Sequence, residues 1–275
     1  MSRIKIITDS TAYVTKEYAN KNRVEIVPLS VNFCGEINKE GFPGEFNEFY
    51  EKLVNTKEFP TTSQPSTGDF IEAYKKAFET GDEIIVLTIS SELSGTYNSA
   101  RLGADMLETD KITVIDSKTS AGNLKLLVEK AVLLVEQGFR RAEIEKEILI
   151  QIKNMSINLT VDTLEYLKRG GRLSNATAFI GTLLNIKPVI GLINGKLEPI
   201  GKERGKKRAM EAIISMVPEN VKIISIAHVQ NIKEAEAYKA QLEKKFTNAI
   251  ITIDELGPVI GSHIGPKAIG LCASW

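Results

Sequence analysis

Hydrophobic positions along the chain follow two rhythms. Residues 83–89 are expected to form a strand: its apolar run, Ile84-Ile85-Val86-Leu87, is rich in β-branched side chains, the pattern of a strand buried on both faces. Runs at 4–8 and 112–116 are also expected to be strands. Between them, apolar residues recur at helical spacing over 15–20, 66–79, 95–107 and 142–153, and through Phe46, Phe49, Tyr50, Leu53 and Val54. A long helix is expected over 117–137, stopped by Gly138. Residues 24–33 read as one further strand, with Pro28 arguing for an edge position or a bulge. A loop is expected over 35–44. Residues 60–69 should be extended or turned, because Pro60 and Pro65 bracket a polar stretch. Strand alternating with helix predicts a parallel sheet covered by helices on both faces.

The rhythm changes after residue 155. A strand over 156–161 and a short helix lead to Lys168-Arg169-Gly170-Gly171-Arg172-Leu173, a glycine turn among cations. A helix is expected over 174–184. Strands at 188–193 and 196–200 flank Asn194-Gly195, a two-residue hairpin signal. Then come a helix over 204–216, a strand over 221–228, a helix over 232–246 and a strand over 249–254. A glycine-rich loop over 257–266 precedes a last strand at 269–273. A hairpin among these elements predicts a mixed or antiparallel sheet, hence a second domain. The expected division is 1–155 and 156–275.

Composition narrows the function. At 275 residues and 43% hydrophobic, the chain can bury a substantial core. Lys and Arg total 35, as do Asp and Glu, so no global field draws it to nucleic acid or an anionic membrane. Cys34 and Cys272 form no disulfide pattern and, even with His228 and His263, show no zinc-ligand spacing. The chain starts with a strand, not a signal peptide, and no apolar run reaches the roughly 20 residues of a membrane span. A cytoplasmic protein is expected.

Three constellations carry candidate chemistry. Ser94 lies where a strand feeds a helix, beside free backbone N–H groups suited to an anion; the hydroxyls of 61–66 are its candidate partners. Plain helix capping is the competing explanation. His263, within 257–266, is a candidate hydrogen-bond donor or acid–base group, or a histidine that only meets backbone; His228 fits a structural role. Arg169, Arg172 and the run Lys202, Arg204, Lys206, Lys207, Arg208 suit phosphate or an acidic partner, or simply a solvated surface. Phosphate-loop, dinucleotide-binding, nucleophile-elbow and metalloprotease motifs are absent, and no nucleic-acid motif accompanies the cations.

Five segments in order resemble the DegV family over essentially the whole chain: Ile7-Thr8-Asp9-Ser10-Thr11, Thr62-Ser63-Gln64-Pro65-Ser66, Leu93-Ser94-Gly95-Thr96-Tyr97-Asn98-Ser99-Ala100, Arg169-Gly170-Gly171-Arg172-Leu173 and Gly261-Ser262-His263-Ile264-Gly265-Pro266. These are bacterial fatty-acid-binding proteins that serve as the B component of fatty acid kinase. The resemblance implies two α/β domains, the second with a mostly antiparallel sheet, and a long-chain fatty acid such as palmitate, stearate or oleate between them. It implies no cofactor and no catalysis by this chain, since a separate ATP-binding kinase subunit phosphorylates the bound acid to acyl-phosphate. Transient membrane contact is compatible with that role. By the resemblance, Thr62 and Ser94 hold the carboxylate with His263 beside it, while Arg172 and Arg204 contact the partner or phosphate. Lys267 departs from the family's usual glycine, which puts the local loop geometry in question. The alternative is a serine-dependent acyl hydrolase or transferase using Ser94 and His263; no carboxylate is clearly placed in the sequence to orient that histidine.

Overall fold

The computed structural model describes residues 3–81, 83–173 and 185–275. The expected helix over 174–184 lies outside them. The N-terminal part contains β1 (Ile4–Asp9), a 3-10 turn, α1 (Lys16–Asn22), β2 (Glu25–Val27), β3 (Ser30–Phe33), β4 (Glu36–Lys39), α2 (Asn47–Asn55), β5 (Thr61–Ser63), α3 (Thr67–Phe78), β6 (Glu83–Thr88), α4 (Thr96–Asp105), β7 (Ile112–Asp116), α5 (Ala121–Glu136) and α6 (Arg141–Ile152). The C-terminal part contains β8 (Met155–Thr160), α7 (Glu165–Gly170), β9 (Ile186–Ile193), β10 (Lys196–Arg204), α8 (Lys206–Ser215), β11 (Ile223–His228), α9 (Ile232–Lys245), β12 (Ile250–Glu255), α10 (Pro258–Ile264) and β13 (Ile269–Ser274).

The expected α/β class holds. A four-stranded parallel sheet, ordered β2-β1-β6-β7, forms the N-terminal core. Its central strand β6 is buried on both faces, as its unbroken apolar run requires. Ile84 and Val86 pack with Phe70 and Tyr74 of α3 and Ala100 of α4. Ile85 and Leu87, pointing the other way, pack with Leu124 and Val128 of α5 and Ile144 of α6.

The strand expected over 24–33 is two strands. Pro28 lies between β2 and β3, where its missing N–H ends the ladder. Beyond it the chain enters a separate antiparallel sheet, β4-β3-β5. The loop expected over 35–44 therefore contains β4. The β3–β4 turn is Cys34-Gly35, with φ of 52° and 79°, the left-handed pair a tight hairpin needs. The long helix likewise begins at Ala121, because residues 117–120 form the connection ahead of it.

The C-terminal sheet has six strands in the order β10-β9-β8-β13-β11-β12, antiparallel except for β11–β12. Asn194 and Gly195, at φ of 50° and 85°, make the expected hairpin turn. Along β13, Leu271 and Ala273 join Met210 and Ile213 of α8 and Leu242 of α9 in a core on one face of the sheet. Gly270 and Cys272, between them, line the opposite face and look toward the N-terminal part. Helix α5 is shared by both parts: Lys125 pairs with Asp254 at 2.8 Å, and a Cβ on Gly122 would lie 2.5 Å from Ser225 Oγ.

The glycine-rich segment expected as a loop is instead helix α10, with Pro258 at its start. Gly257, Gly261 and Gly265 recur at every fourth position and share a face. Where Cβ atoms would stand are Glu40 and Tyr13, then Tyr50, then Tyr166, all within 3 Å. Arg204, expected at a helix start, closes β10.

Candidate functional site

The inner face of the C-terminal sheet, α10 and the edge of the parallel sheet enclose an apolar cavity with about 860 Å³ of space, its mouth included. Leu159, Leu192, Leu197, Leu256, Ile260 and Cys272 are among its walls. Among the described residues, the polar or charged side chains lining it are those of Thr62, Ser94, Ser120, Arg172 and His263.

Thr62 is held by backbone and by side chains. It sits on β5, opposite Val31 of β3. Phe59, just ahead, stacks on Tyr166 at 5.1 Å and under the Arg169 guanidinium at 3.9 Å, tying β5 to α7. Two residues further, the Gln64 amide covers Gly95; a Cβ there would lie 2.3 Å from Gln64 Oε1. Gln64 Nε2 also donates to Ser99 Oγ at 3.3 Å. The Thr62–Ser66 and Leu93–Ala100 segments are thus one unit, and the glycine after Ser94 is what lets them close.

Ser94 precedes α4. Its Oγ shares a hydrogen bond with Thr96 Oγ1 at 2.9 Å, and its N–H donates to Ser90 O at 3.1 Å. His263, on α10, meets Thr62 across the two parts of the chain, with Nε2 2.7 Å from Thr62 Oγ1. The other ring nitrogen, Nδ1, is buried without a partner. It rests on Gly170, where a Cβ would come within 2.3 Å. Gly171, at φ 66°, ends α7 in the left-handed conformation. One glycine of the Arg-Gly-Gly-Arg segment makes room for the histidine and the other turns the chain. Arg172 follows directly. Its Nη1 donates to Gly170 O at 2.6 Å and its Nε to Leu93 O at 3.3 Å, so it bridges α7 to the Ser94 loop.

Burial, and then the nearby Arg172 charge, push the His263 pKa down to about 4, so the ring is neutral at pH 7. That constrains the pair. If His263 carries its proton on Nε2, it donates to Thr62 Oγ1 and leaves the threonine hydroxyl free to donate onward. The opposite tautomer would consume the Thr62 proton and bury an unpaired N–H at Nδ1. The first arrangement makes Thr62 a donor into the cavity with His263 behind it, while Arg172 supplies positive charge nearby. Together they suit a carboxylate at the end of an apolar molecule.

Four of the five expected site residues, Thr62, Ser94, Arg172 and His263, therefore line one cavity. Arg204 does not; it is exposed at the end of β10, opposite Ile186. The alternative, a pairing of Ser94 with His263 for nucleophilic catalysis, is not supported, since Ser94 Oγ bonds Thr96 and His263 bonds Thr62. The Thr8–Thr11 loop acts as a brace. Buried Asp9 accepts from Thr11 Oγ1 at 2.6 Å and from Ile89 N at 2.7 Å, and burial raises its pKa to about 6. His228 is buried and accepts from Asn231 N at 3.2 Å, a structural histidine. Lys267 adopts φ 61°, a conformation that favours glycine.

Sequence reasoning missed Glu40 and Tyr50. Buried Glu40 accepts from Val259 N at 2.8 Å and Ser10 Oγ at 2.6 Å. Tyr50 donates to Leu256 O at 2.6 Å and to Gly257 O at 2.9 Å. Both grip the start of α10, the helix that carries His263. The available signal was the fourfold glycine spacing of 257–265.

Fold and site define a two-part α/β protein that encloses a largely apolar cavity with Thr62, Ser94, Arg172 and His263 on its wall. The DegV family model, described as an uncharacterised protein family, matches residues 3–274. The chain belongs to the DegV family. Protein DegV of Bacillus subtilis is 33% identical over 275 residues, covering 98% of each chain. The structure of a DegV-family protein of Thermus thermophilus, described for fatty acid binding, is 34% identical with a TM-score of 0.88 and 99% of each chain covered. The Streptococcus pneumoniae fatty acid kinase protein Fak B3, loaded with linoleic acid, is 25% identical with a TM-score of 0.85, covering 100% of this chain and 99% of that one. Among the described residues no helix is long and apolar enough to cross a membrane.

Proposed function

We propose that this chain binds a long-chain fatty acid in the cavity and presents its carboxylate to a separate ATP-dependent kinase for conversion to acyl-phosphate. The observation that carries the reading is the Thr62–His263 contact on the wall of a largely apolar cavity. Solved relatives that bind fatty acids support the ligand class. The kinase partner rests on the likeness to Fak B3.

The physical division of labour is simple. Each buried methylene contributes about 0.8 kcal/mol, so a long tail supplies roughly ten kcal/mol of gross driving force. Hydrogen bonds to a charged head contribute about 1.5–3 kcal/mol each but must first offset desolvation. The tail sets most of the affinity; Thr62 and Ser94 add to it and set orientation. His263 acts through Thr62 and is a positioning residue. A carboxylate oxygen left facing the mouth attacks the γ-phosphorus of ATP on the partner, and ADP departs with the bridging oxygen. This chain supplies no acid, base or nucleophile to that step. Arg172 stabilises the head and the incoming phosphoryl charge, and Arg204 lies on the surface offered to the partner.

The test is to denature the purified protein, extract it and identify bound lipid by mass spectrometry. A long-chain fatty acid is expected. A lipid-free extract, with no thermal shift on adding palmitate, stearate or oleate, would overturn the reading.

A further inference from the structure

One polar feature of the cavity wall is not used by the carboxylate clamp. Ser120 lines the cavity, is 5% exposed, and has a hydroxyl without a hydrogen-bond partner. It stands at the N-cap of α5, where a serine ordinarily bonds the first free N–H groups, yet it makes no capping bond. The Cys272 thiol lines the same cavity. Burying an unpaired hydroxyl is unfavourable, and an alanine would avoid the penalty. The apolar wall therefore carries an unsatisfied donor, at the start of α5 and away from the β5, α4 and α10 segments that carry Thr62, Ser94 and His263.

We propose that Ser120 is a second polar subsite of the cavity, taking an oxygen substituent, a hydroxyl or keto group, carried on the acyl chain away from its carboxylate. The inference rests on the fatty-acid reading above and extends it to oxygenated fatty acids. A plain methylene leaves the Ser120 hydroxyl unpaired, whereas an oxygen at that depth accepts its proton. One hydrogen bond to Ser120 distinguishes the two chains.

The experiment compares delipidated wild type, Ser120→Ala and Ser120→Cys by calorimetric titration. The probes are stearic acid and positional isomers of hydroxystearic acid, from near the carboxylate to near the methyl end. In wild type, at least one isomer is expected to gain on stearate, by about fivefold to tenfold relative to the same ratio in Ser120→Ala. Ser120→Cys, close to serine in shape but a weak donor, is expected to resemble Ser120→Ala. Because Ser120 caps nothing, both variants should melt at or above the wild-type temperature. An unchanged hydroxystearate-to-stearate ratio for every isomer in both variants would overturn the proposal, leaving a trapped water as the hydroxyl's partner. If stearate binds all three proteins, such a result defeats the subsite alone; if stearate binds none, the fatty-acid reading falls with it.

Discussion

The contact between Thr62 Oγ1 and His263 Nε2, 2.7 Å long and joining residues 201 positions apart, yields a prediction that no plain contact census would make. If His263 acts through Thr62, the two must be energetically coupled in ligand binding. Thr62→Val keeps the shape of the side chain and removes the hydroxyl. Losing one hydrogen bond to a carboxylate should weaken fatty-acid binding by roughly tenfold to a hundredfold, from about 1.5–3 kcal/mol. His263→Phe keeps a ring against Gly170 but cannot orient the threonine hydroxyl. Its cost should be that of a neutral hydrogen bond, about 1 kcal/mol or roughly fivefold. In the Thr62→Val background nothing remains for His263 to orient, so His263→Phe should change affinity little, giving a coupling of about 1 kcal/mol. Titration of the four delipidated proteins with palmitate at neutral pH measures the cycle. Because the histidine pKa is pushed down to about 4, all four refer to a neutral site. Additive losses, with His263→Phe costing the same in both backgrounds, would refute the relay and make His263 an independent contact.

Two further predictions concern stability. Burial raises the Glu40 pKa to about 7, against about 4.5 when unfolded, so the folded state holds the extra proton between those values and stability falls as pH rises through them. Glu40→Gln, which keeps an acceptor for Val259 N, should gain on wild type by up to about 3 kcal/mol near pH 8 and little near pH 4 in urea unfolding; a pH-independent difference would contradict the assignment. Lys267→Gly should relieve about 1–2 kcal/mol of left-handed strain at φ 61° while making the unfolded chain about 0.5–1 kcal/mol more flexible. A rise of roughly 1–3 °C in Tm is expected by calorimetry, and a fall would show that the Lys267 side chain contributes more than its backbone strain costs.

Much of the site was legible as residue types. The Ser94 loop could be marked as a candidate anion site, with helix capping as the competing explanation, because a buried strand entering a helix is a local event, visible in a few consecutive residues. The Asn194-Gly195 hairpin was legible for the same reason: both residues tolerate positive φ. The Cys34-Gly35 turn escaped notice because cysteine does not advertise that conformation, although it adopts φ 52° here. The segment over 257–266 was expected as a loop because three glycines and two prolines within ten residues disfavour a helix. The glycines are the close-packed face of α10, and only the tyrosines and glutamate opposite explain them.

What the sequence by itself determined was the alternation of elements, the hairpin in the second half, and the hydroxyls, histidine and arginines available for a polar clamp. Each depends on local backbone preference or hydrophobic period, which short stretches of chain encode. Only the tertiary structure decided which of them meet. It put Thr62 against His263, drew Arg172 to the cavity and left Arg204 outside. It also turned alternate residues of β13 into one wall of the cavity and one face of the core. A cavity wall and a core face carry the same apolar side chains, so what separates them is the space between distant elements, which exists only once those elements have packed.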